Sequence, residues 1–214
     1  MIGIFGGTFD PVHYGHLRAA VEARERLGLN HVRLLPAGEP PHRSGTFASA
    51  GHRLEMLRAA VEGRTDLKVD DREVRRAGRS YMSDTLTELR AEAGDTALLL
   101  MIGQDAANAL DSWHDWRRLF ELAHIVIMRR PDAVHACSER LAAEIGPRRV
   151  QGPEDLRQRP AGYVLPLEVT QLAISSTGIR EMIAAGRSPA FLLPDAVIDH
   201  IDRSGNYREG VARS

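Results

Sequence analysis

The chain begins with MIGIFGGTFDPVHYGH, residues 1–16, and this stretch decides the fold. Met1–Phe5 is short and apolar, as a buried parallel strand is. Gly6 and Gly7 permit a tight turn and a close approach of the backbone to a ligand. From about Gly15 the apolar spacing becomes helical, so the stretch predicts a strand, a turn and the start of a helix.

Two histidines, His13 and His16, lie at this predicted junction between strand and helix. The start of a helix exposes unpaired N–H groups and the positive end of the helix dipole, and it therefore attracts phosphate. Residues three apart share a helix face, so both imidazoles can face one bound group. The alternatives are structural histidines that cap the helix, and a metal site that includes Asp10. We favour phosphate contact, because a metal site usually needs more closely spaced ligands.

Composition limits the function classes. The chain has 214 residues with 28 Lys and Arg against 29 Asp and Glu, a net charge of −1. This balance gives no overall basic field for nucleic acid or a membrane surface. The one cysteine, Cys137, excludes an internal disulfide and fits a reducing compartment. No apolar run is long enough to span a bilayer and no signal peptide is evident, so we expect a cytoplasmic protein.

Strand-like apolar runs alternate with amphipathic helical runs, which predicts an α/β fold: a parallel sheet with helices on both faces. We expect one domain over residues 1–207, with a C-terminal helical part at about 175–207, and then a tail at 208–214. The predicted strands are Met1–Phe5, His31–Pro36, Leu67–Asp70, Ala97–Ile102, Ile125–Met128 and Tyr163–Leu167. The predicted helices are Gly15–Leu27, Gly51–Glu62, Ser83–Ala93, Trp113–Leu122, Thr177–Ala185 and Asp195–Asp202, with one further short helix after Cys137.

The informative segments follow the predicted strands. Parallel sheets bind ligands beyond the carboxyl ends of their strands, where the strand order reverses. Three segments follow strands directly: Gly6–His16, Pro36–Arg43 and Gly103–Asp105. Neither the P-loop pattern nor G-x-G-x-x-G occurs, so a nucleotide site here would use histidines and helix ends.

A second cluster of polar residues lies at Ile174–Arg180, near the C-terminus. Ser and Thr at a helix start are ordinary N-caps, which is the plain interpretation. Here three hydroxyl residues in a row open a helix, and Arg180 lies one turn further on, on the same face. Hydroxyls, free N–H groups and a guanidinium together suit a polyphosphate.

Other segments admit two interpretations each. The run Pro36–Arg43 is a proline-rich connector whose His-Arg end could meet a phosphate. Gly78–Leu86 is a helix entry with capping residues. Trp113 and Trp116 are three apart in a predicted helix, so one can pack inward while the other stacks on a flat ring.

In this order, these motifs resemble the bacterial nicotinate-nucleotide adenylyltransferases, over residues 1 to about 207. The signature (H/T)-x-G-H of the wider nucleotidyltransferase superfamily matches residues 13–16, and I-S-S-T-x-x-R matches residues 174–180. The pyridine-nucleotide branch is indicated by GGTFDPVH, PPHR, GRSYMSDTL and GQD with the tryptophan that follows. The resemblance implies a Rossmann-like, three-layer nucleotidyltransferase fold. It also implies that nicotinate mononucleotide and ATP give nicotinate adenine dinucleotide and pyrophosphate.

The resemblance also implies roles for individual residues. His16, His13 and Arg180 would be catalytic. Positions lining the mononucleotide, or near the phosphates, would be His42, Arg43, Met82, Asp105, Trp113 and His114. Met82 stands where Thr is common in the family, and His114 where Tyr is common. The ATP phosphates would be held by Gly6, Gly7, Thr8, His13, His16, Ser175, Ser176, Thr177 and Arg180.

The implied partners are ATP and nicotinate mononucleotide, with Mg²⁺ bound to ATP and no protein metal site, nucleic acid or membrane. A homo-oligomer is left open. The nearest rival function is the same transfer to nicotinamide mononucleotide, to both mononucleotides, or to phosphopantetheine. A rival of another class is a regulator that binds ATP or NAD without turnover.

Overall fold

A central parallel sheet organises the chain, whose computed structural model describes residues 1–40, 46–129, 136–170 and 172–208. Within these ranges six parallel strands pair in the order β3-β2-β1-β4-β5-β6. The order reverses between β1 and β4, which makes this the switch point of a Rossmann-like sheet. Their bounds are β1 (Ile2–Gly7), β2 (His31–Pro36), β3 (Leu67–Val69), β4 (Leu98–Gly103), β5 (His124–Arg129) and β6 (Val164–Glu168).

The helices connect these strands and cover both faces of the sheet. Helix α1 ends at Gly28, whose φ of 61° is left-handed and suits glycine, so the predicted stop is confirmed. No described helix is long and apolar enough to cross a membrane. The helix bounds are α1 (Tyr14–Leu27), α2 (Ala50–Ala60), α3 (Arg72–Arg75), α4 (Met82–Ala93), α5 (Gln104–Asn108), α6 (Arg118–Leu122), α7 (Glu139–Ile145), α8 (Ser176–Ala184) and α9 (Asp195–Ser204).

Side chains of β4 show how one strand serves two cores. Leu99 and Met101 pack into a cluster with residues of α1, α2, α8 and α9. Leu98, Leu100 and Ile102 pack into the other cluster with α4, α6 and α7. Successive strand residues point to opposite faces, so an all-apolar strand feeds both cores. The predicted three-layer arrangement is confirmed.

The predicted helix Trp113–Leu122 is wrong in its first half, because α6 covers only Arg118–Leu122. A 3₁₀ turn ends at Ser112, Trp113 is extended, and Asp115 has a φ of 49°. A left-handed residue interrupts the helical path, and Asp tolerates that conformation better than most residues. Helices α3 and α5 were not predicted, because four or five residues show no periodicity.

Candidate active site

A cavity of about 830 Å³ opens at the carboxyl ends of β1 and β4. Gly6 and Gly7 line it from the end of β1, and Ile102 and Gly103 line it from the end of β4. This is the switch point of the sheet, where α/β folds bind their ligands. The predicted location of the site therefore coincides with a cavity at the switch point of the sheet.

His13 and His16 lie together in this cavity. His13 is 5% exposed and is the N-cap residue of α1, while His16 lies in the first turn of that helix. Their rings are stacked, with centroids 3.7 Å apart and an angle of 29° between the planes. The ring of His16 also meets Phe9 edge-on, at 5.1 Å between centroids. The packing thus fixes both imidazoles before any ligand arrives.

Gly15 makes this histidine pair possible. A Cβ at position 15 would lie 2.9 Å from Nδ1 of His13 and 3.0 Å from its Cε1. Real Cβ atoms do not approach other atoms so closely, so a larger residue would push the His13 ring away. The glycine between the two histidines is therefore needed for space, which the sequence analysis did not foresee.

Burial lowers the pKa of His13 to about 4. A neutral imidazole carries one N–H donor and one acceptor nitrogen. At neutral pH His13 is thus a hydrogen-bond partner and carries no positive charge. The start of α1 adds positive potential at this end of the cavity.

The N-terminus of α8 faces the N-terminus of α1 across this end of the cavity. The carbonyl oxygen of Ile174 lies 3.5 Å from the Cβ position of Gly15. Ser175 caps α8 by accepting from the Gly178 N–H at 3.1 Å, and Ser176 Oγ donates to the Pro11 carbonyl at 2.9 Å. Two helix starts that border one cavity offer N–H groups of the kind that bind anions. Ser175, Ser176 and Thr177 all line the cavity.

Arg180 is held beside this end and does not line the cavity. Its Nη1 donates to the Asp10 carbonyl at 2.7 Å, and its Nη2 donates to Thr177 Oγ1 at 3.0 Å. The guanidinium also lies over the Phe47 ring, 4.2 Å from the centroid. The structure therefore brings Arg180 to Thr177 as predicted, and two of its five N–H donors bind the protein itself.

Arg53 is a functional residue that the sequence analysis missed. Its side chain on α2 is fully buried, and it donates to the carbonyls of Thr8 at 2.8 Å, Gly38 at 2.9 Å and Ala48 at 3.3 Å. Thr8 lies in the connection after β1, where it lines the cavity, and Gly38 and Ala48 both lie in the connection between β2 and α2. A signal was present, because Arg53 shares a helix face with the buried Met56 and Leu57.

Asp10 also holds the segments around the cavity together. Its carboxylate is used by hydrogen bonds within the protein, which disfavours the alternative that it binds a metal. Its carboxylate accepts from the N–H groups of Phe47 at 2.8 Å and Ala48 at 3.2 Å, and from the Tyr207 hydroxyl at 2.6 Å. The side chain is 3% exposed. Asp10 therefore ties the loop before α2 and the C-terminal segment to the strand-to-helix junction.

A second group of residues that line the cavity is aromatic. Trp113 lines it, whereas Trp116 is 7% exposed and packs in the core, which confirms the predicted division between the two. The ring centroids of Tyr81 and His114 are 4.3 Å apart. Met82 begins α4, and its methyl group lies 2.7 Å from the Cβ position of Gly6.

One further predicted residue, Asp105, is not brought to the cavity. Asp105 is exposed in the first turn of α5 and does not line it. His42 and Arg43 lie outside the described residues. In contrast, Glu73 lines the cavity without having been predicted, and it accepts from Thr85 Oγ1 at 2.7 Å. Burial raises the pKa of Glu73.

Comparisons with known proteins place this site in a family. The cytidylyltransferase-like family matches residues 4–182. A protein of Methylococcus capsulatus named "Probable nicotinate-nucleotide adenylyltransferase" is 51% identical over 97% of this chain and 99% of its own length. One of the same name from Halorhodospira halophila is 48% identical over 96% of this chain and 94% of its own.

This chain belongs to the nicotinate-nucleotide adenylyltransferase family. Its fold is similar to that of a Plasmodium falciparum nicotinic acid mononucleotide adenylyltransferase solved in complex with NaAD. The TM-score is 0.72 at 16% identity, with 96% of each chain covered, so this likeness shows the fold alone.

The cavity of this family member has two ends of different chemistry. The histidine end consists of Gly6, Gly7, Thr8, His13, His16, Ser175, Ser176 and Thr177. The tryptophan end consists of Tyr81, Met82, Trp113 and His114. The first offers hydrogen-bond donors and helix ends, and the second offers flat rings and the start of α4.

Proposed function

We propose that this chain transfers the adenylyl group of ATP to nicotinate mononucleotide, giving nicotinate adenine dinucleotide and pyrophosphate in NAD biosynthesis. The observation that carries the proposal is 51% identity, over nearly the whole chain, to a relative that bears this name. The two-ended cavity supports it, because the substrates combine polyphosphate with a flat pyridine ring.

The reaction requires alignment more than acid or base groups. An oxygen of the mononucleotide 5′-phosphate attacks the α-phosphorus of ATP and forms a new P–O bond. The bond from the α-phosphorus to the bridging oxygen of the β-phosphate breaks, and pyrophosphate leaves with that electron pair. The attacking oxygen is anionic at neutral pH, so no general base is needed. Such transfers depend on positioning and on stabilisation of charge.

The histidine end would supply this stabilisation. His16 would donate to the α-phosphate as charge develops, while His13 would orient the phosphates as a neutral donor. Free N–H groups of the first turns of α1 and α8 would bind the remaining phosphate oxygens. We assign the ATP phosphates to the residues that the histidine end comprises, with Arg180 beside them. We assign His42 and Arg43 to the same phosphates on the resemblance alone.

Mg²⁺ would arrive with ATP. Among the described residues that line the cavity, the one carboxylate is Glu73, and it is bonded to Thr85. The described lining residues therefore form no oxygen cage, and Mg²⁺ commonly keeps several waters and binds through substrate phosphates. When bound, Mg²⁺ would neutralise part of the phosphate charge.

The tryptophan end would select the mononucleotide. Trp113 would stack on the pyridine ring, with His114 nearby. Asp105 is assigned to the mononucleotide on the resemblance alone. The first-turn N–H groups of α4, beginning at Met82, would donate to the nicotinate carboxylate. Backbone donors do not depend on the side chain at position 82, so the absence of a Thr hydroxyl there leaves them in place.

Release of pyrophosphate tests the proposal. The purified chain is supplied with ATP, Mg²⁺ and one acceptor at a time: nicotinate mononucleotide, nicotinamide mononucleotide or phosphopantetheine. We expect release with nicotinate mononucleotide, and nicotinate adenine dinucleotide as the product identified by chromatography. If pyrophosphate is released with phosphopantetheine but with neither mononucleotide, phosphopantetheine is the acceptor and the proposal is wrong. Tight nucleotide binding without pyrophosphate release would favour a regulator.

A further inference from the structure

Three metal-ligating side chains meet on the outer surface, between α2 and α9. His52 and Glu55 lie one turn apart on α2, and His200 faces them from α9. Among the described residues, their ligand atoms form a group of three in which all lie within 4.8 Å of one another. None of the three lines the active-site cavity.

The distances fit a tetrahedral ion. His52 Nδ1 lies 3.1 Å from His200 Nε2. An Oε2 atom of Glu55 lies 3.9 Å from His52 Nδ1 and 3.7 Å from His200 Nε2. Two ligands bound to Zn²⁺ at 2.0–2.1 Å in tetrahedral geometry are about 3.3–3.4 Å apart. Glu55 is 61% exposed, so its carboxylate is free to close the remaining few tenths of an ångström.

The contact between the two rings also suits a metal. At 3.1 Å one of the two facing nitrogens donates a proton to the other, in roles that the tautomers decide. Metal binding releases such a proton and leaves both nitrogens as ligands.

We propose that His52, Glu55 and His200 form a binding site for a divalent transition-metal ion, best matched by Zn²⁺. Two imidazoles and one carboxylate are a common three-ligand set for zinc, with water in the fourth position. The set lacks the six oxygens that Mg²⁺ or Ca²⁺ prefers. The site is therefore separate from the Mg²⁺ that accompanies ATP.

The ion would join the C-terminal helix to the support of the active site. α2 packs against α9, and Arg53 directly follows His52 on α2. Because Arg53 holds the carbonyls of Thr8 and Gly38, an ion that fixes α2 would also fix the loops at the cavity. The expected consequence is higher stability of the whole chain.

Titration of the metal-free full chain with Zn²⁺ tests the site, with the free ion reported by a fluorescent chelator. We expect one equivalent to bind, and Tm to rise by about 5–10 °C at a Zn²⁺ concentration near one hundred times Kd. When Co²⁺ is added to the metal-free chain in place of Zn²⁺, the complex should show the intense visible absorption of a four-coordinate site. Absence of a bound equivalent, or of this absorption, would overturn the proposal.

Variants locate the ion. His52→Ala, His200→Ala and Glu55→Gln should each weaken Zn²⁺ binding by about tenfold or more. Glu55 is exposed, so Glu55→Gln keeps the test valid even if a histidine variant folds poorly. The matched control is His16→Ala, which removes an imidazole from the cavity and should bind Zn²⁺ as the parent does. Loss of binding in His16→Ala but not in Glu55→Gln would place the ion in the cavity and contradict the proposal.

Discussion

The histidine end and the tryptophan end of the cavity are built in different ways. The histidine end takes its key groups from two short runs, residues 6–16 and 175–177, each at the start of a helix. The tryptophan end takes Trp113 from an irregular segment and Tyr81 from the residue before α4. The first end is thus formed by two helix starts with a packed pair of imidazoles, whereas the second is formed by an irregular segment beside the start of α4.

The difference has a functional meaning. Phosphate groups are common to all nucleotide substrates, and helix starts bind them without reading a side chain. The base of the mononucleotide is what distinguishes one acceptor from another. We therefore infer that the histidine end performs the transfer and that the tryptophan end selects the acceptor.

The largest effect is expected at Arg53, whose buried side chain holds the segments that border the histidine end. Arg53→Met should lower the free energy of unfolding by about 3–5 kcal/mol, because three buried carbonyls lose their donor and Asp10 loses a nearby cation. Urea denaturation measures it. Arg58→Met, on the same helix but exposed and paired with Asp71, should cost less than about 1 kcal/mol. Equal losses in the two variants would refute the supporting role.

Removing His16 tests the chemistry of the histidine end directly. His16→Ala should lower kcat by a factor on the order of 10²–10³, because one preorganised hydrogen-bond donor to the developing charge is lost. Steady-state kinetics measure the effect, and circular dichroism checks the fold. His114→Ala at the tryptophan end serves as the control and should act mainly on KM for the mononucleotide. A parental kcat in His16→Ala would remove His16 from the mechanism.

The burial of His13 predicts a pH dependence of stability. Its pKa is about 4 in the folded chain against 6.5 for an unperturbed histidine. The unfolded chain binds the proton more readily than the folded chain. The contribution of neutral His13 to the free energy of unfolding is therefore complete above pH 6.5 and is lost as the pH falls to 4. The loss is about 3 kcal/mol. Unfolding free energies of the parent and His13→Gln across this range should diverge in slope, and identical slopes would contradict the assignment.

A smaller effect is expected at Arg180. Arg180→Lys keeps the charge, but an ammonium cannot reach both the Asp10 carbonyl and Thr177 as the guanidinium does. We expect kcat/KM for ATP to fall about tenfold, or about 1.4 kcal/mol. The control is Arg187→Lys, an exposed position beyond α8. If both variants match the parent, Arg180 has no part in ATP binding.

The sequence predicted those parts of the molecule that depend on local pattern. The strand His31–Pro36 has its predicted bounds, and the junction that carries His13 and His16 lies at the switch point. The helix predicted from Trp113 was wrong because one residue, Asp115, adopts a left-handed conformation. Spacing alone does not report such an interruption.

Other parts depend on contacts that no local pattern encodes. Arg53 acts through carbonyls up to 45 residues away, and Glu73 is fixed by Thr85 from the next helix. Gly15 is required by the position of the His13 ring, which only the folded chain defines. Residues that support a site are therefore harder to predict than residues that form it.

Competition between nicotinate and nicotinamide mononucleotide at limiting ATP tests the division between the two ends most directly. Product chromatography gives the ratio of the two dinucleotides for the parent and for His16→Ala. We predict that the parent prefers nicotinate by about ten- to a hundredfold, because a carboxylate accepts stronger bonds from the first turn of α4. His16→Ala should slow both reactions equally and keep this ratio. Equal use of both mononucleotides by the parent, or a ratio that collapses in His16→Ala, would contradict the account.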